Sequence, residues 1–132
     1  MADELKAHVL LVDDEVRFVE ILAERLQVRG VTADTATSGE AALELIQEKY
    51  FDVVLLDLSM PGMDGIKVLR EMKKAKPAIQ IIILTGQGSI EATVEVMKEG
   101  AMDFMEKPVD INRLIEKIRE ATRRSCHNAG DK

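Results

Sequence analysis

The chain has 132 residues, 46% of them apolar and 3% aromatic, and carries a net charge of −6. That length suits one domain able to bury its own core without a disulfide or structural metal, and the acidic balance argues against a direct nucleic-acid surface. The longest apolar runs, 53–56 and 81–84, are too short to cross a bilayer.

The opening Met1-Ala2-Asp3-Glu4-Leu5-Lys6 lacks the apolar stretch of a secretion signal, and the single cysteine, Cys126, excludes an internal disulfide. Both fit a cytoplasmic protein.

A β-rich run near 8–12 opens the periodic part of the chain. A helical stretch at 15–29 follows, with Phe18, Ile21, Leu22 and Leu26 on one face. The next run, 31–35, is more polar and predicts an edge strand. It leads to a second helix at 39–49, for which Thr37-Ser38-Gly39-Glu40 offers a capping box. Runs at 52–57 and 80–85 are apolar almost throughout, as strands covered on both faces should be. Between them lies a helix at 65–75, stopped by Pro77. A fourth helix at 89–99, a fifth strand at 102–106 and a fifth helix at 110–124 complete the series. Asp110 is placed to cap the last helix, and Gly30 and Gly100 sit where helices should stop. Met97, Met102 and Met105 are read as filling the core or lining its edge. The remainder, 125–132, is polar and non-periodic, and is expected to be a mobile tail or the stub of a linker. The domain is therefore assigned to 7–124.

Five strands alternating with five helices predict right-handed βαβ crossovers and a parallel sheet covered on both faces. The strand order 2-1-3-4-5, the doubly wound, flavodoxin-like arrangement, is the natural small version. Its switch point lies between strands one and three, and ligands bind beyond their carboxyl ends. Strand one ends in Asp13-Asp14-Glu15 and strand three in Asp57, while strands four and five end in Thr85 and Lys107. One edge thus gathers three aspartates, a hydroxyl and an ammonium.

Crowded aspartates repel unless compensated, and a hard divalent cation removes the conflict. Mg²⁺ takes octahedral oxygen ligands, commonly one or two carboxylates plus phosphate and water. The lack of a Cys or His cluster disfavours zinc. An Asp beside such an ion, with Thr85 and Lys107 close by, is equipped to attack phosphorus and become an aspartyl phosphate. Each piece also has a structural reading. Asp13-Asp14 can cap a helix, Asp57 can form a turn, and Lys107 before Pro108 can be a solvated lysine. The combination on four strand ends is what favours chemistry.

These marks, together with the run Asp57-Leu58-Ser59-Met60-Pro61-Gly62-Met63-Asp64-Gly65 and the pair Lys107-Pro108, resemble the response-regulator receiver domain of two-component signalling over about 7–124. The resemblance implies that Asp57 accepts a phosphoryl group from a sensor histidine kinase, a phosphotransfer protein or a small acyl phosphate. It implies that Asp14, Asp57 and the Ser59 backbone carbonyl ligate Mg²⁺, with Asp13 acting largely through water, and that Thr85 and Lys107 bind phosphoryl oxygens. A cis Lys107-Pro108 peptide is also implied, as is a switch in which Thr85 and the aromatic Phe104 respond to the phosphoryl group. Ser59 and Gln87 stand where the family tunes hydrolysis.

Helix four carries the β-branched Thr93, Val94 and Val96, which weaken its propensity. A partner or homodimer surface on helix four, strand five and helix five is expected to change on phosphorylation. An output domain or effector protein would read it. Two rivals stand beside this reading. One is a haloacid-dehalogenase-like Mg²⁺ phosphohydrolase, against which Ser59 occupies the place of the usual second acid and the chain has no room for a cap domain. The other is a receiver-like binding module that is never phosphorylated.

Overall fold

The computed structural model describes residues 6–58, 65–86 and 90–130. Its elements alternate strictly: β1 (Ala7–Val12), α1 (Val16–Val28), β2 (Val31–Ala36), α2 (Gly39–Glu48), β3 (Val53–Asp57), α3 (Gly65–Ala75), β4 (Gln80–Thr85), α4 (Ile90–Lys98), β5 (Asp103–Glu106) and α5 (Ile111–Gly130). All strand pairs are parallel, and the sheet runs β2-β1-β3-β4-β5. The expected order and its switch point between β1 and β3 are both present, and polar β2 is an edge strand.

Successive residues of a strand point to opposite faces, so the apolar runs feed two separate cores. Val9, Leu11, Val53, Leu55, Ile82 and Leu84 pack on one face with Leu22 and Leu26 of α1 and Leu114 and Ile118 of α5. Leu10, Val12, Val54, Leu56, Ile81 and Ile83 pack on the other with Ile46 of α2, Leu69 and Met72 of α3, and Val96 of α4. Every residue of β3 is buried. Each such Leu, Ile or Val contributes roughly 1.5–3 kcal/mol relative to exposure. The sheet interior is therefore a stiff frame on which strand-end residues can be fixed. No described helix is long and apolar enough to cross a membrane.

Local signals are met with three corrections. Gly30 and Gly100 have the positive φ of helix stops, at 87° and 107°, and Asp110 Oδ1 accepts from the Asn112 N–H at 3.0 Å. The cap of α2, however, is Ser38, whose hydroxyl accepts from the Ala41 N–H at 3.1 Å. With the cap at Ser38, the third helical position is Ala41 instead of Glu40, so the expected box does not form. Helix α5 continues to Gly130 instead of ending near 124. Apolar periodicity reports a packed face and says nothing about backbone helicity, and with no proline in 125–130 each further residue extends the helix by one hydrogen bond. Met105 is buried and Met102 packs against the core's edge, whereas Met97, expected in one of those places, is 42% exposed.

Candidate functional site

Pairing of β1 with β3 sets Val12 beside Leu56, so the next residues, Asp13 and Asp57, leave the sheet at the same rim. Asp57 in turn pairs with Leu84, and Thr85 with Glu106. Backbone bonds continue past the strand ends. The Asp13 N–H donates to the Ala36 carbonyl at 3.1 Å, Leu58 N–H to Leu84 at 3.0 Å, and Lys107 N–H to Thr85 at 2.9 Å. The peptide between Lys107 and Pro108 is cis, as expected. Gly65, which opens α3 after Asp57, is required by close approach. A Cβ there would lie 3.0 Å from both the Cα and the carbonyl oxygen of Leu58.

Asp13, Asp57 and Thr85 are buried at this rim, 2%, 4% and 5% exposed, while Asp14 faces solvent. Asp13 does not cap α1: the N-cap is Glu15, with no side-chain capping bond. Its Oδ1 accepts from the Glu15 N–H at 3.0 Å, an i to i+2 turn, and its Oδ2 accepts from Lys107 Nζ at 2.6 Å. Nζ also lies 3.3 Å from Glu15 Oε1 and 3.7 Å from Asp57 Oδ2. The Phe18 ring completes its surroundings, with the centroid 4.3 Å away. Burial acts to lower the Lys107 pKa, but the Asp13 hydrogen bond and the charges of Asp57 and Asp13 outweigh it, and the ammonium is held above its ordinary value.

One carboxylate oxygen from each of Asp13, Asp14 and Asp57 lies within 4.8 Å of the others. At about 4 Å and an effective dielectric of about 20, two like unit charges repel by roughly 4 kcal/mol. One ammonium cannot offset three such carboxylates and Glu15. All donors in the cluster are hard oxygens, the set that a small divalent cation prefers and that zinc sites seldom use. The residues therefore form an acidic pocket that can hold a metal ion.

The remaining expected residues divide. Phe104 pairs with Ile83 and packs, partly buried, against the core shared by α2, α3 and α4, outside the carboxylate cluster. Ser59 and Gln87 lie outside the described residues. Two contacts escape the sequence reading. Glu15 and Phe18 both reach Lys107, and although their i, i+3 spacing puts them on one face at the start of α1, no feature of the sequence marks Lys107 as the residue that meets that face.

A sequence profile of the family described as "Response regulator receiver domain" matches residues 9–119. The transcriptional regulatory protein ZraR of Salmonella typhimurium is 44% identical over 116 residues, 88% of this chain and 26% of its own length. The DNA-binding transcriptional regulator NtrC of Escherichia coli is 34% identical over 113 residues, covering 86% of this chain and 24% of that protein. The chain thus spans about a quarter of the length of these curated relatives. The crystal structure of the receiver domain of NtrX from Brucella abortus superimposes with a TM-score of 0.81 at 35% identity, covering 87% of this chain and 98% of that one. The chain belongs to the response-regulator receiver family. It is a receiver domain of the two-component type, and neither rival reading finds support in these relatives.

Proposed function

We propose that Asp57 is the phosphoacceptor. A carboxylate oxygen of Asp57 forms a bond to phosphorus. The bond from phosphorus to the donor, a histidine nitrogen of a sensor kinase or phosphotransfer protein or the acyl oxygen of a small phosphate, breaks with its electron pair leaving on the donor. The observation that carries this reading is the placement of buried Asp57 within 4.8 Å of two further carboxylates and 3.7 Å from an ammonium. Asp13, Asp14 and Asp57 would hold Mg²⁺, joined by the Ser59 backbone carbonyl. The bound ion would neutralise charge on the transferring oxygens. Lys107 and the Thr85 hydroxyl would take up phosphoryl oxygens after transfer, and Ser59 and Gln87 would tune the later attack of water on phosphorus, which releases phosphate and restores the Asp57 carboxylate.

The domain's chemistry would be confined to its own phosphorylation and dephosphorylation. Thr85 and Phe104 would carry the state of Asp57 to a surface on α4, β5 and α5. In that region Val94 and Met97 are exposed, as the face of a cytoplasmic switch that meets a partner or a second copy would be. ZraR and NtrC are transcriptional regulators much longer than this chain. A transcriptional output module reached through α5 is accordingly the proposed recipient of the signal.

The test is incubation with Mg²⁺ and acetyl phosphate followed by intact mass. A single, slowly lost phosphoryl adduct is expected in the wild type and none in Asp57→Asn. Rapid turnover of varied phosphate esters would favour a hydrolase, and absence of any adduct a binding module.

A further inference from the structure

Lysine has three N–H donors. Among the described residues, Lys107 commits one to Asp13 at 2.6 Å and a second to Glu15 at 3.3 Å. Asp57, at 3.7 Å, is beyond hydrogen-bonding distance. Both committed contacts draw Nζ toward the start of α1 and away from the proposed phosphoacceptor. Nζ also sits beside the first turn of a helix, whose partial positive charge opposes an ammonium. The Lys107 side chain is only 17% exposed, so water compensates this charge poorly.

The Phe18 ring answers these conditions without taking a donor. It stands at the third position of α1, packed against the core beneath that helix, so its place is set by the fold. Its centroid is 4.3 Å from Nζ, well inside the roughly 6 Å over which the negative π face attracts a cation. A leucine would fill comparable space on the core but would present hydrocarbon, which offers a buried charge nothing. We propose that Phe18 is a positioning residue for Lys107, its ring face fixing the ammonium at the start of α1, 3.7 Å from Asp57, without taking the N–H that would meet the phosphoryl oxygens. This rests on the reading of Asp57 as phosphoacceptor and Lys107 as its oxygen-binding cation. The sequence pattern alone assigns Phe18 to the apolar stripe of α1, and the geometry gives the same ring a second partner on its outer face.

The experiment uses the whole chain with Mg²⁺ and acetyl phosphate, following the adduct on Asp57 by quenched intact mass. Phe18→Leu removes the π face, Phe18→Tyr retains it, and site-specific trifluorophenylalanine at 18 keeps the shape while neutralising the quadrupole. Phosphorylation is expected to slow about three- to tenfold in the leucine and trifluoro forms and to stay within about twofold of wild type in Phe18→Tyr. In parallel, the Lys107 methylene protons next to Nζ should show a ring-current shift by NMR in the wild type and Phe18→Tyr that vanishes in Phe18→Leu.

Slowing in the leucine form but not the trifluoro form would mean packing alone, and would overturn the proposal. Unchanged rates in both, in a chain that is phosphorylated and is slowed by Lys107→Ala, would overturn it while leaving the phosphoacceptor reading intact. A wild-type chain that takes no phosphoryl group would overturn both.

Discussion

Toward the amino-end rim, where His8 near the start of β1 meets Asp34 from the middle of the edge strand β2, Asp34 Oδ2 lies 3.1 Å from both His8 Nε2 and Lys49 Nζ, and Asp52 Oδ2 accepts from the His8 N–H at 2.8 Å. The His8 ring also packs on Phe51, with centroids 4.6 Å apart. At the carboxyl-end rim, Asp13, Glu15 and Asp57 surround the Lys107 ammonium, and Asp14 adds a third carboxylate beside Asp13 and Asp57. β1 and β3 contribute to both ends, so the difference lies in which side chains stand there. One rim pairs each acid locally and is complete as it stands. The other gathers like charge around two buried carboxylates, Asp13 and Asp57, in an acidic pocket that can hold a metal ion. Departures from local satisfaction of this kind are expected at functional sites.

The largest test of this contrast is the response to divalent cation. Free Mg²⁺ at a hundred times its Kd should stabilise the fold by about 2.7 kcal/mol, read as a rise in urea midpoint at unchanged slope. Asp14→Asn should remove most of that response, because it deletes one of the three carboxylates proposed to hold the ion. If Asp34→Asn removed the response equally, the two rims would not differ as argued.

Next in size is Lys107→Ala in cation-free buffer. Removing one partner from a fully buried ion pair costs roughly 3–5 kcal/mol. Here the Glu15 side opens to solvent, and about 1–2 kcal/mol is expected at neutral pH. The pKa of Lys107 is raised in the fold, so its contribution is complete below the ordinary lysine value of about 10.4 and is lost as pH rises through the raised value. The gap in urea midpoint between wild type and variant should therefore stay constant through neutral pH and close only in strong alkali. Added Mg²⁺ should narrow it at neutral pH by supplying the missing positive charge.

The parts of this molecule legible in its sequence are those where one residue type answers to one physical demand. β3 and β4 are apolar on both faces because both faces are covered, so their identity needed no partner information. The acids ending β1 and β3 were legible as a site because parallel topology forces strand ends together. What escaped depended on choices between near equals or on contacts across the fold. Thr37 and Ser38 are hydroxyl residues one position apart, and only the backbone decides which caps α2. Phe18 satisfies the apolar stripe of α1, so nothing in the spacing signals that an ammonium sits over its ring. Strand order places Lys107 at the site, but that its shortest contact is Asp13 depends on side-chain reach across the rim, which strand order does not report.

The smallest effect belongs to the amino-end rim. Burial acts to raise the Asp34 carboxyl, but hydrogen bonds from Lys49 and His8, with their charges, outweigh it and leave its pKa lowered. A carboxyl lowered by folding contributes stability above its unfolded value, near 3.9, and loses it as pH falls through the folded one. Asp34→Asn should thus cost under about 1 kcal/mol at neutral pH, since the pair is partly solvated and screened, and nothing once the wild-type carboxyl is protonated. Urea midpoints taken down the acid limb should converge below about pH 4, with the Mg²⁺ response and the Asp57 adduct unaltered. A loss that persisted into acid would mean that Asp34 acts through packing beside His8 and Phe51. The amino-end rim would then owe its order to shape more than to paired charge.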